Sequence, residues 1–430
     1  MNLKRTASLL LACAALSAAP ASYSLSAQPD SARQDTCVNC HEVFAETPIG
    51  SMVEPFKRGV HAKAGLSCAA CHGGDPSARD KEVSMSPERG YKGVPARAAV
   101  PDLCGSCHSS AEYMRRFDPS LRIDQVAEYR TSVHGQLLAE GDANVATCVN
   151  CHGVHGILSA SNPLAPVHPL KLADTCAGCH SDAQKMAAYE IPIDQMDLYK
   201  QSVHGMALYD RQDLGAATCN DCHGNHGATP PGVQSVANVC GNCHGVQRDL
   251  FSESSHQSIF EMFEFSACVT CHDNHLVKAP GEFLLAGEDS ACLQCHEEGD
   301  AGMQTAHSMA DDISSLAAQV EEARALLVRA EQAGMEVSAA LFDLRSANEK
   351  VILARNLVHS LVPARVEETV NEGVGIAESA KEAGEEAFEE LRYRRTGLFV
   401  ALVIIGLVII ALWLWIRQVD AALEGQRPAA

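Results

Sequence analysis

The sequence predicts a mainly α chain with much irregular loop, in three parts. A compact cysteine-rich domain comes first, then a long-helix hairpin or stalk, then one C-terminal transmembrane helix. Three observations predict it. Eighteen of the 19 cysteines fall in nine short motifs between Cys37 and His296. From about Ala306 cysteines stop and apolar residues recur every three or four positions. Gly397 to Ile416 is a run of 20 residues without a charge. The 430 residues carry 54 acidic and 33 basic side chains, a net charge of -21. That balance argues against nucleic acid, whose phosphates need Lys and Arg, and favours basic docking partners. Aromatic residues are only 5% of the chain, so something else fills the interior of the first part.

The nine motifs all read C-x-x-C-H. They are Cys37/Cys40/His41, Cys68/Cys71/His72, Cys104/Cys107/His108, Cys148/Cys151/His152, Cys176/Cys179/His180, Cys219/Cys222/His223, Cys240/Cys243/His244, Cys268/Cys271/His272 and Cys292/Cys295/His296. Composition alone would give about 0.04 such motifs. Two thiols at this spacing each add to one vinyl group of a single haem, and the following imidazole sits beneath the iron. This is the attachment signature of haem c. A zinc site needs no His after the second Cys, and a redox dithiol occurs once rather than nine times. The cofactor expectation is therefore nine haem c groups, with no motif cysteine left for a disulfide.

The nineteenth cysteine, Cys13, lies in a leader. Lys4 and Arg5 precede an apolar run from Ala7 to Ala19, and Ala19-Pro20-Ala21 reads as a cleavage site. Residues 1–27 are read as a secretory signal, in keeping with haem attachment outside the cytoplasm. Leu10-Leu11-Ala12-Cys13 also resembles a lipoprotein box, though the apolar run before it is short.

The cysteine-rich region is a repeat of two-motif units. Tyr129 begins YRTSVHG, followed by CVNCHGVHG at Cys148 and CAGCH at Cys176. Tyr199 begins YKQSVHG, followed by CNDCHGNHG at Cys219 and CGNCHG at Cys240. A looser copy runs from Ser252, a shortened one from Lys57, and the motif at Cys37 stands alone. Low-spin haem iron needs a second side chain on its other face. His61, His134, His204 and His256 precede the first motif of each unit. His155, His226 and His275 follow in the pattern C-H-x-x-H, too near their own haem to reach its far side, so each is expected to serve a neighbour. His168 precedes Cys176 and His307 follows the last motif. These nine are the candidate distal ligands; His359 is left over and is read as a helix-surface residue.

About 30 residues per motif is too little protein for nine separate pockets, so the haems are expected to share walls and form the core. Short helices joined by loops should carry them. Beyond them, Ile313, Leu316, Val320, Ala323, Leu327 and Ala330, then Val337, Ala340, Leu344, Ala347, Val351, Ala354, Val358 and Leu361, have heptad spacing. Gly334 marks the turn between two helices and Pro363 starts a third. Its seam is small (Gly373, Ala377, Ala380, Gly384), and it runs into the membrane span. The expected parts are a nine-haem domain over 28–307, a helical bundle or stalk over 308–396, the span 397–416 and a cytoplasmic tail 417–430. The 33 residues from Ala364 to Thr396 allow the haems to stand about 50 Å from the bilayer or to fold beside the bundle.

With nine C-x-x-C-H motifs, doubled units and S-V-H-G histidines, residues 37 to 307 resemble the multihaem c-type cytochromes. The resemblance implies electron transfer through closely stacked bis-histidine haems. The long helices after the last motif are similar in arrangement to those of cytochrome c nitrite reductases and hydroxylamine oxidoreductases, but no C-x-x-C-K occurs here. The function expected is electron transfer by a cytochrome anchored in the inner (cytoplasmic) membrane, with its haem domain periplasmic. Partners would be a quinol-oxidising membrane complex or periplasmic or outer-surface cytochromes. The alternative is an oxidoreductase acting on a small nitrogen or sulfur compound at one five-coordinate haem. Arg392, Arg394 and Arg395 on the outer side run against the positive-inside rule, which a signal peptide and a large translocated domain outweigh.

Overall fold

The computed structural model describes residues 35–232 and 235–424. The leader, with Cys13, lies outside them. The described residues form helices and loops with no strand. They divide into two compact units: residues 1–123 with 147–165, and 124–146 with 166–430.

Short helices carry the motifs, and local chemistry explains their length. Thr147 and Thr218 each cap a five-residue helix, Cys148–His152 and Cys219–His223. In both, the third residue (Asn150 or Asp221) completes a capping box. The helices stop where Gly153 and Gly224 take φ of 80° and 78°, a region open to glycine. In the last copy Asp273 occupies the same place at φ 66°. Second motifs lie instead on helices such as Val100–His108 and Pro169–His180, with proline in the first turn.

The repeated S-V-H-G sequence has a structural reason at each position. Ser202 is extended and caps the Val203–Tyr209 helix: its hydroxyl accepts from Gly205 N–H at 3.0 Å and donates to Tyr199 O at 2.6 Å. Ser132 does the same with Gly135 and Tyr129. Val203 N–H donates to Val277 O at 2.9 Å, and Val133 N–H to Ala228 O at 3.1 Å. Val60 N–H donates to Ile157 O at 2.8 Å. Each acceptor lies two residues after a C-H-x-x-H histidine, so one backbone bond clamps two distal-ligand segments together. The glycine admits a close approach: a Cβ on Gly205 would lie 2.0 Å from Tyr199 O, and one on Gly135 1.9 Å from Tyr129 O. The tyrosines pin the next motif, Tyr129 Oη donating to Ala146 O and Tyr199 Oη to Ala217 O at 2.8 and 2.9 Å.

The second unit continues into three long helices, Ala301–Gln332, Ser338–Leu357 and Pro363–Glu424. Gly334 turns the first at φ 85°. The heptad residues meet in one apolar core, with Leu316, Leu327 and Ala347 fully buried. Each buried leucine contributes about 1.5–3 kcal/mol. The small seam lets the third helix close in, since a Cβ on Gly373 would stand 2.7 Å from Leu316 Cδ2 and one on Gly384 2.8 Å from Leu326 Cδ2. The Lys381–Glu322 ion pair (2.7 Å) lies alongside, and a second joins Lys350 and Glu372. Past Thr396 the third helix continues unbroken as an exposed apolar rod, the one helix among the described residues long and apolar enough to cross a membrane. Tyr393 and the pair Trp413 and Trp415 stand at its two ends, as interfacial aromatics do.

Candidate functional site

The structure brings motif histidines and predicted distal histidines face to face. In the first unit His108 faces His61 and His72 faces His155, both with ring centres 6.1 Å apart. In the second, His180 faces His134 (6.1 Å), His244 faces His204 (6.2 Å), His223 faces His275 (6.0 Å) and His296 faces His256 (6.1 Å). His272 faces His359 at 6.0 Å. Two metal–imidazole bonds of about 2.0 Å and two ring radii of about 1.1 Å place trans imidazole centres about 6.2 Å apart. The observed gaps therefore fit one iron each.

The chemistry of the donors fits haem rather than a protein-only metal site. Among the described residues no three His, Cys, Asp or Glu side chains converge as a metal cluster. Two trans imidazoles leave four equatorial positions for a porphyrin. The 18 motif cysteines stand as thiols rather than disulfides, as thioether formation requires.

A rule emerges from the pairs. The histidine before a unit's first motif faces the second motif of its own unit. The C-H-x-x-H histidine faces the first motif of the preceding unit. The two kinds also differ in ring orientation. Second-motif pairs are tilted, by 64°, 60°, 50° and 46°. First-motif pairs are nearly parallel, at 21°, 10° and 22°.

Burial and hydrogen bonding prepare the imidazoles. Burial pushes His61, His134, His155, His204, His256 and His275 below the ordinary histidine pKa, and the facing imidazole adds to it. The neutral ring is the form that binds metal. His72 Nδ1 lies 2.8 Å from Gly93 O and His359 Nδ1 3.0 Å from Asn356 O, positions that orient Nε2 toward the facing ring's side. His296 Nδ1 instead meets a carboxylate, Asp300 Oδ2, at 3.0 Å.

Neighbouring attachment sites adjoin in sequence order. The Asp35 carboxylate accepts from Cys37 N–H at 3.0 Å and from Cys68 N–H at 3.1 Å, joining the first two motifs. Burial and then the Asp35 charge push the Cys37 and Cys68 thiols up to about 11 and about 12. Cys71 interacts with Cys107, and Cys104 is hydrogen-bonded to Cys148. In the second unit Cys219 is hydrogen-bonded to Cys176, Cys222 interacts with Cys240, Cys240 is hydrogen-bonded to Cys268, and Cys271 interacts with Cys292.

Five motif cysteines correct the expectation that every attachment site lies inside a shared core. Cys40, Cys243 and Cys295 are exposed, and Cys151 and Cys179 are only half-buried. Each is the second cysteine of its motif, and the reason is its place on the helix. Cys40, Cys151 and Cys179 lie in the last turn of the helices Thr36–Glu42, Cys148–His152 and Pro169–His180. Cys243 follows the end of Val236–Gly241, and Cys295 caps the 3-10 turn Ala291–Gln294. The chain turns away just beyond each, so few side chains pack over the sulfur. Their part in holding haem rests on the motif chemistry, not on burial.

Three expected ligands are placed otherwise. His168 is buried and caps the Pro169–His180 helix, its Nδ1 accepting from Leu170 N–H at 3.3 Å. His307 lies within the first bundle helix, with a buried Nε2 that has no hydrogen-bond partner. His226 Nδ1 is 3.8 Å from Glu128 Oε2. Sequence reasoning set His359 aside as a surface residue. Its signal was present: the last first-motif histidine has no following unit to supply a partner, and His359 stands at a helix end before Pro363 rather than inside a helix.

Comparison with known families agrees with this chemistry. The cytochrome c3 model matches residues 60–160, the doubled CXXCH motif model residues 262–301, and the cytochrome c554 and c-prime model residues 11–73. No curated protein and no solved structure matches the chain. A cofactor held by two thioethers and a motif imidazole, repeated along one chain, is haem c, and the chain is a multihaem c-type cytochrome.

Proposed function

We propose that the chain is a membrane-anchored electron conduit carrying nine haem c groups, most or all with imidazole on both faces. The observation that carries this is the set of facing imidazoles at 6.0–6.2 Å. Bound haem supplies a one-electron iron couple. The polypeptide's part is to occupy both axial positions, which leaves no site for substrate, and to keep successive attachment motifs in contact. The repeat extends the same role to His226, which holds the place in its unit that His155 and His275 hold in theirs.

The anchor is the apolar stretch 397–416 of the third bundle helix, with the haem domain on the outer side of a cytoplasmic membrane. Arg392 and Arg394 on that side pair with Glu389 and Glu390 at 3.5 and 2.7 Å. The bundle tip docks on the haem-bearing helices through Gln247–Asn356, Arg355–Glu282 and Arg365–Glu253 contacts. Pro363 to Gly397 is 34 helical residues, about 51 Å at 1.5 Å per residue. The eighth site thus stands far from the bilayer, which favours exchange with redox proteins over direct quinol oxidation. The net charge of -21 favours basic partner surfaces.

A second reading rests on His41. Among the described residues of the first unit no imidazole faces it, and its Nδ1 approaches only Ile49 O at 3.5 Å. An open iron there would suit reduction or oxidation of a small nitrogen or sulfur compound. Electron paramagnetic resonance on the fully oxidised, full-length protein separates the two. Nine low-spin haems per chain, unaltered by nitrite, hydroxylamine or sulfite, are expected of a conduit. One high-spin haem that shifts on adding one of these makes the protein an enzyme at His41.

A further inference from the structure

We infer that His359, on the turn between the second and third bundle helices, is the distal axial ligand of the haem attached by Cys268 and Cys271. The inference rests on the paired-imidazole reading above and extends it to a segment with no cysteine. Four observations carry it. The ring centre lies 6.0 Å from that of His272, the spacing of the pairs formed by repeat histidines. The rings are inclined by 22°, which places the pair with the near-parallel first-motif pairs at 21° and 10° rather than with the tilted second-motif pairs. His359 Nδ1 is fixed on Asn356 O at 3.0 Å, leaving Nε2 free. Burial, the leading cause, holds the ring below the usual histidine pKa.

The turn is built to hold this ring. Val358–Ser360 is a single 3-10 turn, closed by Ser360 Oγ donating to Leu357 O at 2.7 Å. Leu361 then takes φ 54°, in the left-handed region, before Pro363 opens the third helix. Asn356 spends its side chain on Gln247 Nε2 at 2.8 Å and its carbonyl on His359, so one residue ties the turn both to the haem-bearing helices and to the ligand. In the repeat, the following unit supplies the distal histidine of each first motif. The fourth unit has no successor, and the helical bundle takes that part. The bundle is therefore a component of the redox array, and the eighth haem is complete only when the bundle tip is docked.

The test uses the full-length haem-loaded protein. His359→Ala should convert one haem from low to high spin, remove intensity from the near-parallel low-spin signal, and return to low spin when free imidazole is added. His359→Met, which keeps a ligand and much of the volume, should stay low-spin with one midpoint potential raised, covering the case in which the alanine variant misfolds. His204→Ala is measured in parallel. If His204→Ala gives a high-spin haem while His359→Ala and His359→Met leave spectrum and potentials unchanged, His359 is no ligand and the repeat pairing stands. If neither alanine variant alters spin state, the paired-imidazole reading fails and this inference with it.

Discussion

Gly205→Ala tests whether the S-V-H-G turn positions the distal ligand. The new Cβ would lie 2.0 Å from Tyr199 O and 2.9 Å from Lys200 Cα, against 3.4–4 Å for ordinary contact. Both neighbours are backbone, held by the Ser202 cap, so no side chain can swing aside. The helix carrying His204 must move by about 1.4 Å, at an overpacking cost of about 1–3 kcal/mol. The Ser202–Gly205 hydrogen bond of 3.0 Å weakens as well, for about 1 kcal/mol more. Together these are about 2–4 kcal/mol, and each 1.4 kcal/mol is tenfold in an equilibrium. Occupancy of the iron by His204 relative to its release should fall by about 30- to 1000-fold. The assay is high-spin haem counted by electron paramagnetic resonance, with a redox titration beside it. Gly135→Ala, whose Cβ would be 1.9 Å from Tyr129 O, should act likewise on His134. Gly375→Ala is the control: nothing lies within 4 Å, and a helical alanine stabilises by about 0.5–1 kcal/mol. A Gly205→Ala protein with the parent's spin count and potentials would falsify the positioning argument.

Four further outcomes are expected. Asp300→Asn keeps the cap on Met303 N–H at 2.8 Å but removes the charge from His296 Nδ1, so one midpoint potential rises with spin state unchanged; identical titration curves would dismiss the carboxylate's influence. The oxidised protein should show two low-spin signals, one from the near-parallel and one from the tilted imidazole pairs; a single uniform signal contradicts the two orientations. Leu316→Ala empties a fully buried position and should cost about 3–5 kcal/mol in denaturant unfolding followed by helical circular dichroism, while the haem spectrum stays put. Intact mass should correspond to nine haems on a chain beginning near Ser22 or Gln28, and fewer haems would remove the motif responsible from the proposed array.

The attachment sites were legible because their chemistry is local. Thioether formation demands cysteines three apart and an adjacent imidazole, so Cys219, Cys222 and His223 announce themselves. Their burial was not legible: Cys40, Cys243 and Cys295 come out exposed because each sits where a short helix ends, a boundary that spacing does not encode. The heptads were legible because Leu316 to Ala330 repeat at helical spacing, and the helices form over those residues. Distal histidines were half legible. Repetition flagged His61, His134, His155, His204 and His275 without saying which iron each one faces, because the partner lies in another turn of chain or another unit.

Order and reach were decided only in three dimensions. His155 sits three residues from His152 yet faces His72, because the backbone bond from Val60 to Ile157 folds one unit onto the next. His359 lies 87 residues beyond His272 and has no repeat to mark it; only the docking of the bundle tip sets the two rings 6.0 Å apart. By itself the sequence determined what is covalent or periodic: nine attachment motifs, three long helices and an apolar span. The tertiary structure decided which imidazoles share an iron and how far the array stands from the membrane. Both depend on contacts between residues distant along the chain, and no local spacing encodes those.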